Sequence, residues 1–298
     1  MTVEWQFERV AGPFDFTEGP VWLSDPDSEG SLLFSEVPSN RVIRYDPATD
    51  GCETYLSGTG GANGLAVNRD GTVYACESTY RRVVAYPGQS ETVPLATTYE
   101  GGRLNGPNDL CLDGQGSLWF TDPNYSGDSS IQELSAEGIY RLDSNGTLER
   151  ATDATARPSG IELSPDGDVL YVADARFRGE QVQRLLEFPV ASDGTLGEKQ
   201  ALHDFGPHRG IDGFSVASSG EIVAAAGWER SGPGPAIYVL DPDGDVIERH
   251  PFPTDRPTNC AFAGRGSSIL YTTGGGSLYR TETDLVGHGV SHSFKWKG

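Results

Sequence analysis

Six times along the chain a short strand with alternating apolar residues opens on a polar side chain next to a glycine or a turn. These openings read TEGPVW (17–22), ANGLAV (62–67), PNDLCL (107–112), PSGIEL (158–163), IDGFSV (211–216) and TNCAFA (258–263). Each leads into a second strand, in order LLFSE, TVYACE, LWFTD, VLYVAD, EIVAAAG and ILYTT, and then a third: RVIRYD, RVVAY, GIYRLD, RLLEFP, AIYVLD and SLYR. The links between first and second strands are rich in Asp-Gly and Gly (RDG, DGQG, PDG, SSG), which supply the positive φ values that tight hairpins need. A fourth strand follows five of the units, as CETYL, ETVPLA, TLERAT, KQALHDF and VIERHPF, but none follows SLYR. A four-stranded unit repeated every 45 to 53 residues predicts a propeller rather than a solenoid of helix pairs. The missing fourth strand is expected at VEWQFERV (3–10), so that the N-terminal segment closes the ring and leaves no open seam. The expectation is an all-β chain, residues 1–298 forming one six-bladed β-propeller domain.

Composition excludes several classes of partner. A net charge of −21 repels nucleic-acid phosphates and anionic membrane surfaces, and no basic stripe offsets it. No apolar run reaches the roughly 18 residues that a membrane helix requires. The first residues, MTVEWQFERV, lack a basic segment followed by an apolar one, so a cytoplasmic location is expected. Cys52, Cys76, Cys111 and Cys260 are scattered and form no CxxC pair, which predicts thiols within strands rather than a disulfide framework or zinc site. The cations are 19 Arg against only 3 Lys; an acidic, lysine-poor surface suits high salt, and an ordinary acidic protein accounts for the composition equally well.

In a propeller the first strand of each blade lines the axis, so equivalent positions face one another across a channel. Alignment of the openings puts Glu18, Asn63, Asn108, Ser159, Asp212 and Asn259 in one ring. All six bear side-chain oxygen, and only two are charged, both negatively. Such a set suits a hard cation with oxygen ligands better than a metal that prefers thiolate or imidazole. Any one Xaa-Gly pair can be a turn residue chosen for its backbone; six oxygen side chains at one repeat position favour a site. Other groups carry weaker signals. Ser159 lacks a nucleophile elbow, His208 is placed to shuttle protons at the channel mouth, and Arg103 could anchor a hydroxyl. Glu36, Glu77, Asp122 and Asp174 at second-strand ends are expected to hold turns.

The motifs FTEGPVW (16–22), LNGPNDLCLDGQGSLWFTDPNY (104–125), GIYRLDSNG (138–146), PSGIELSPDGDVLYVAD (158–174), GIDGFSV (210–216) and TNCAF (258–262) resemble those of the senescence marker protein, gluconolactonase and luciferin-regenerating enzyme family, above all its gluconolactonase branch. The resemblance implies one divalent cation in the channel, with Ca²⁺ the first expectation and Zn²⁺, Mg²⁺ or Mn²⁺ the alternatives. Glu18, Asn108, Ser159 and Asp212 would be its ligands. It further implies a small-molecule substrate, a sugar lactone opened to the aldonic acid; the mechanism expected here uses Asp212 as general base and Asn108 as ligand or substrate guide. Nucleic acid and membrane are not expected partners, and the oligomeric state is left open, a monomer included. Ser159 departs from the family's Pro-Asn-Gly; its hydroxyl is shorter than an amide, so a weakened or water-bridged ligand position is expected. An organophosphate-type ester hydrolase on the same site, or a non-catalytic binding propeller, remains an alternative.

Overall fold

In the computed structural model, which describes residues 5–25, 29–174, 183–264, 266–288 and 294, six four-stranded antiparallel sheets surround one axis. The inner strands are Thr17–Leu23, Ala62–Val67, Leu110–Leu112, Pro158–Leu163, Ile211–Val216 and Pro257–Phe262. Three of them match the sequence expectation residue for residue. The inner strand of blade three is shorter than expected because the backbone at Asn108 and Asp109 bonds irregularly to Thr121 of the second strand. Among the described residues the only helical element is a single 3₁₀ turn, Ser129–Ile131, and no helix is long and apolar enough to cross a membrane.

Blade six takes its outer strand from the other end of the chain. Glu8–Ala11 pairs antiparallel with Ser277–Glu282, matching Glu8 to Arg280 and Arg9 to Tyr279. An Arg280–Glu8 ion pair at 2.7 Å reinforces that register. The closing strand is therefore shorter than VEWQFERV. Residues 3 and 4 lie outside the described residues, and Trp5 and Phe7 are anchored by their rings instead. Trp5 is 4% exposed and stacks on His250 at 4.2 Å, while Phe7 meets Phe252 edge-on.

The apolar core is divided among the seams between blades. Leu33, Val42 and Leu56 of blade one pack against Leu65, Ala75 and Val84 of blade two, and five further clusters fill the other seams. This leaves the axis free for polar groups. Phe294, 1% exposed, is set into the seam between blades two and three, with its backbone held by the Asn68 amide. The four cysteines are unpaired and all lie in strands; Cys76, Cys111 and Cys260 are buried.

Candidate active site at the channel mouth

The inner strands enter the channel through a repeated irregularity. In blades one, two, four and five the pairing register slips between Glu18 and Val21, Ala62 and Leu65, Pro158 and Ile161, and Ile211 and Phe214. A bulge re-aims the side chain it carries. Here it turns the polar ring residue and the glycine after it toward the axis. The loops that deliver these residues are held by carboxylates at the second-strand ends, as expected from the sequence. Glu36 accepts from the Asp15 amide, Asp122 from Asn105 and Gly106, and Asp174 from Ala156 and Arg157. Hydroxyls of one blade then tie down ring backbone of the next: Ser35 to the Asn63 carbonyl at 2.8 Å, and Thr121 to that of Ser159 at 2.7 Å.

Four of the ring residues form one cluster. The Ser159 hydroxyl lies 3.0 Å from Asp212 Oδ1 and 3.3 Å from Asn108 Oδ1. It has one proton, and the shorter contact to a charged acceptor takes it. Glu18, 6% exposed, stands close enough to Asp212 to feel its charge. Burial drives the Glu18 pKa well above the carboxylate range, and Asp212 and Asp109 push it further; the Gly19 amide and Arg209 oppose the shift. Asn63 is half-buried at the same level in blade two.

Asn259 is not part of this ring. In blade six, Pro257 pairs with Gly274 as Pro158 pairs with Asp174, so Thr258 takes the ring position and Asn259 the position of the glycine. Thr258 turns away from the channel and donates to the Thr17 carbonyl at 2.7 Å, across the closing seam. Asn259 instead reaches across the axis, and its amide donates to Asp109 Oδ2 at 3.2 Å. This polar bar needs bare backbone around it: a Cβ on Gly213 would lie 2.1 Å from Asn259 Cγ, and one on Gly64 would lie 2.2 Å from Asp109 Oδ1. Beyond the bar, on the side away from Glu18, lies a cavity of about 290 Å³ whose wall includes Asp109, Glu162, Asn259 and His288.

Three groups at the mouth were not anticipated. Asp109 stands where four blades have glycine, a signal the sequence does carry. Arg209 is buried and bonds Asp212 Oδ2 at 2.6 Å, whereas neighbouring His208 is exposed beside Gly232. Tyr125 shows its ring to solvent under the Arg157 guanidinium, while its hydroxyl hydrogen-bonds Ser159. Burial of that hydroxyl, then the charge of Asp212, raise its pKa and keep it a neutral phenol. Arg103 is exposed and donates to the Tyr80 carbonyl.

Burial lifts both Asp109 and Glu162 to about 7. Each therefore holds its proton more tightly in the fold than in the unfolded chain. The native state binds the excess protons between the ordinary carboxylate range and about pH 7, so stability falls as pH rises through that window. Thermal melting in chelator at constant salt is expected to give a higher Tm at pH 5 than at pH 8. A Tm that rises over the same interval would contradict this.

The fold and the mouth together define a class: a six-bladed propeller with an all-oxygen cluster where inner strands converge on the axis. The chain belongs to the SMP-30/Gluconolactonase/LRE-like family, whose model matches residues 16–275. It is 27% identical to a gluconolactonase of Zymomonas mobilis, over 96% of this chain and 84% of that protein. It is 28% identical to the pentonolactonase XacC of Haloferax volcanii, over 87% of this chain and 81% of the relative. A solved gluconolactonase structure from Xanthomonas campestris superposes with a TM-score of 0.81 at 27% identity, covering 94% of this chain and 89% of that one.

Proposed function

We propose that this protein is a metal-dependent lactonase that opens a sugar lactone to its aldonic acid. The observation that carries this reading is the convergence of Asp212, Ser159 and Asn108 within hydrogen-bonding distance, with Glu18 in electrostatic contact. The cluster fits a hard divalent cation, with Ca²⁺ first. Its donors are all oxygen, and repulsion among Glu18, Asp212 and Asp109 is opposed by one buried cation, Arg209. Among the described residues no three His, Cys, Asp or Glu side chains gather into a metal cluster; the proposed set has two carboxylates, with the Asn108 amide and the Ser159 hydroxyl beside Asp212. Glu18, Asn108, Ser159 and Asp212 would hold the cation, which when bound would polarise the lactone carbonyl.

The chain's own residues do the rest. Asp212 accepts the proton of the attacking water. The Asn108 amide has a nitrogen with which to donate to a substrate hydroxyl, since its oxygen faces Ser159. Tyr125, a neutral donor beside Ser159, walls the mouth and supplies a face for a sugar ring. The Asp109–Asn259 bar closes the channel beneath, so substrate enters and leaves by the same mouth.

A pH-stat assay on five- and six-carbon sugar lactones and on phosphotriesters tests the reading. Acid release from the lactones, well above their spontaneous opening, is expected, with little from the phosphotriesters. Turnover of phosphotriesters alone would overturn it.

A further inference from the structure

We infer that Arg209 is a positioning residue that turns one oxygen of Asp212 away from the channel and leaves the other as the single oxygen Asp212 presents there, both to a cation and to the proton of the attacking water. The Arg209 side chain is 5% exposed and fixed on three sides. Its Nη2 donates to Asp212 Oδ2 at 2.6 Å, and its Nη1 donates to the carbonyls of Gly227 at 2.9 Å and Pro257 at 3.1 Å. Those carbonyls belong to blades five and six, so the guanidinium is locked into the seam beside the mouth. The remaining Asp212 oxygen, Oδ1, is the one that faces Ser159.

The repeat explains why this happens only in blade five. In blades one to four the second strand ends in Glu36, Glu77, Asp122 or Asp174, and the two first-named each pair with an arginine on their own third strand. The equivalent residue opposite Ile211 in blade five is Ala226. With no acid there, Gln183 takes over part of the task by accepting from the Gly210 amide, and Arg209 finds its counter-charge in Asp212. A planar guanidinium can serve three acceptors in fixed directions at once, which an ammonium on a flexible stem does less well.

The consequence is electrostatic as well as geometric. Glu18 and Asp212 contribute two negative charges, and Arg209 offsets one. A divalent cation is then held less tightly than two unopposed carboxylates would hold it. The loaded site also keeps one net positive charge where negative charge develops on the lactone carbonyl oxygen.

This inference rests on the site being that of a cation-dependent lactonase, and calorimetry on the full-length chelated protein separates the two. For Arg209→Met, Ca²⁺ should bind about tenfold more tightly, because a nearby positive charge is gone and Oδ2 is free. At saturating Ca²⁺ its kcat should fall about 10–100-fold, the usual loss when a ligand's supporting partner is removed. Arg209→Lys keeps the charge, so its affinity should stay near that of the unaltered protein while kcat still falls. A structural role alone would lower affinity, kcat and Tm together in Arg209→Met, and that result overturns the inference. If Arg209→Met does not fold, Arg209→Lys decides, and an unchanged kcat overturns it. Failure of the unaltered protein to take up Ca²⁺ would instead overturn the reading of the site itself.

Discussion

Asp212→Asn is expected to lose about 10²–10⁴-fold in kcat and to stay low at saturating Ca²⁺, whereas Glu18→Gln regains most of its activity as the cation is raised. Both substitutions remove one negative charge and keep one oxygen, so both weaken cation binding. They differ in what else is lost. The amide that replaces the Asp212 carboxylate has one oxygen, and with that oxygen turned toward Ser159 it still accepts from the Ser159 hydroxyl and can still ligate the cation, but it cannot take a proton from water. Glu18 is buried, and its charge is opposed by Asp212 and Asp109, so neutralising it relieves repulsion without removing a proton acceptor. Asp212→Asn also leaves Arg209 without its counter-charge, so it needs the higher cation concentration before the comparison is made. Lactone hydrolysis across a Ca²⁺ titration of both variants gives the answer. If Asp212→Asn recovers as fully as Glu18→Gln, Asp212 is a ligand only. His208, exposed beside Gly232, is then a poor replacement as base, because it is Arg209 that turns inward.

Removal of residues 1–11 should cost the protein its stable fold. The segment supplies the fourth strand of blade six, and without it the Ser277–Glu282 strand becomes an open edge. Trp5 is lost as well, with its place among Val223, Ile237, Phe252 and Cys260 in the seam between blades five and six. Deleting a buried Trp side chain costs about 3–5 kcal/mol, a large share of the roughly 5–15 kcal/mol by which folded domains are stable. Trp5→Ala isolates that part, leaves the strand in place and should lower Tm without aggregation, while the truncated protein should aggregate on mild heating. Melting curves and light scattering distinguish them. A truncated protein that melts like the complete one would show that blade six is stable with three strands.

The architecture was legible because its signals are periodic. Strand openings at 62–67, 158–163 and 211–216 needed only apolar alternation and flanking glycine, and the absence of a strand after SLYR pointed to the N-terminal segment. The cluster was legible in two steps: the repeat put Glu18, Asn108, Ser159 and Asp212 in a ring of six, and the family resemblance singled out these four. Asn259 was misplaced by one residue because TNCAF contains no glycine to mark the register, and the bulge adds a residue that simple counting does not see. The Asp109–Asn259 bar joins residues 150 apart and is visible only once blades three and six face each other. Arg209 did carry a local signal, its three-residue spacing from Asp212, but a loop arginine is ordinarily solvated. What buried it was the Ala226 position in blade five, where four other blades carry acids.

The central claim, a lactonase whose oxygen cluster works with a divalent cation, is tested most directly by following sugar-lactone opening in a pH-stat before and after chelation. Chelated protein should fall to the spontaneous rate while its circular dichroism stays that of a folded β protein, and added Ca²⁺ should restore turnover in a saturable way. Full activity in chelator, with no response to any added divalent cation, would contradict the account.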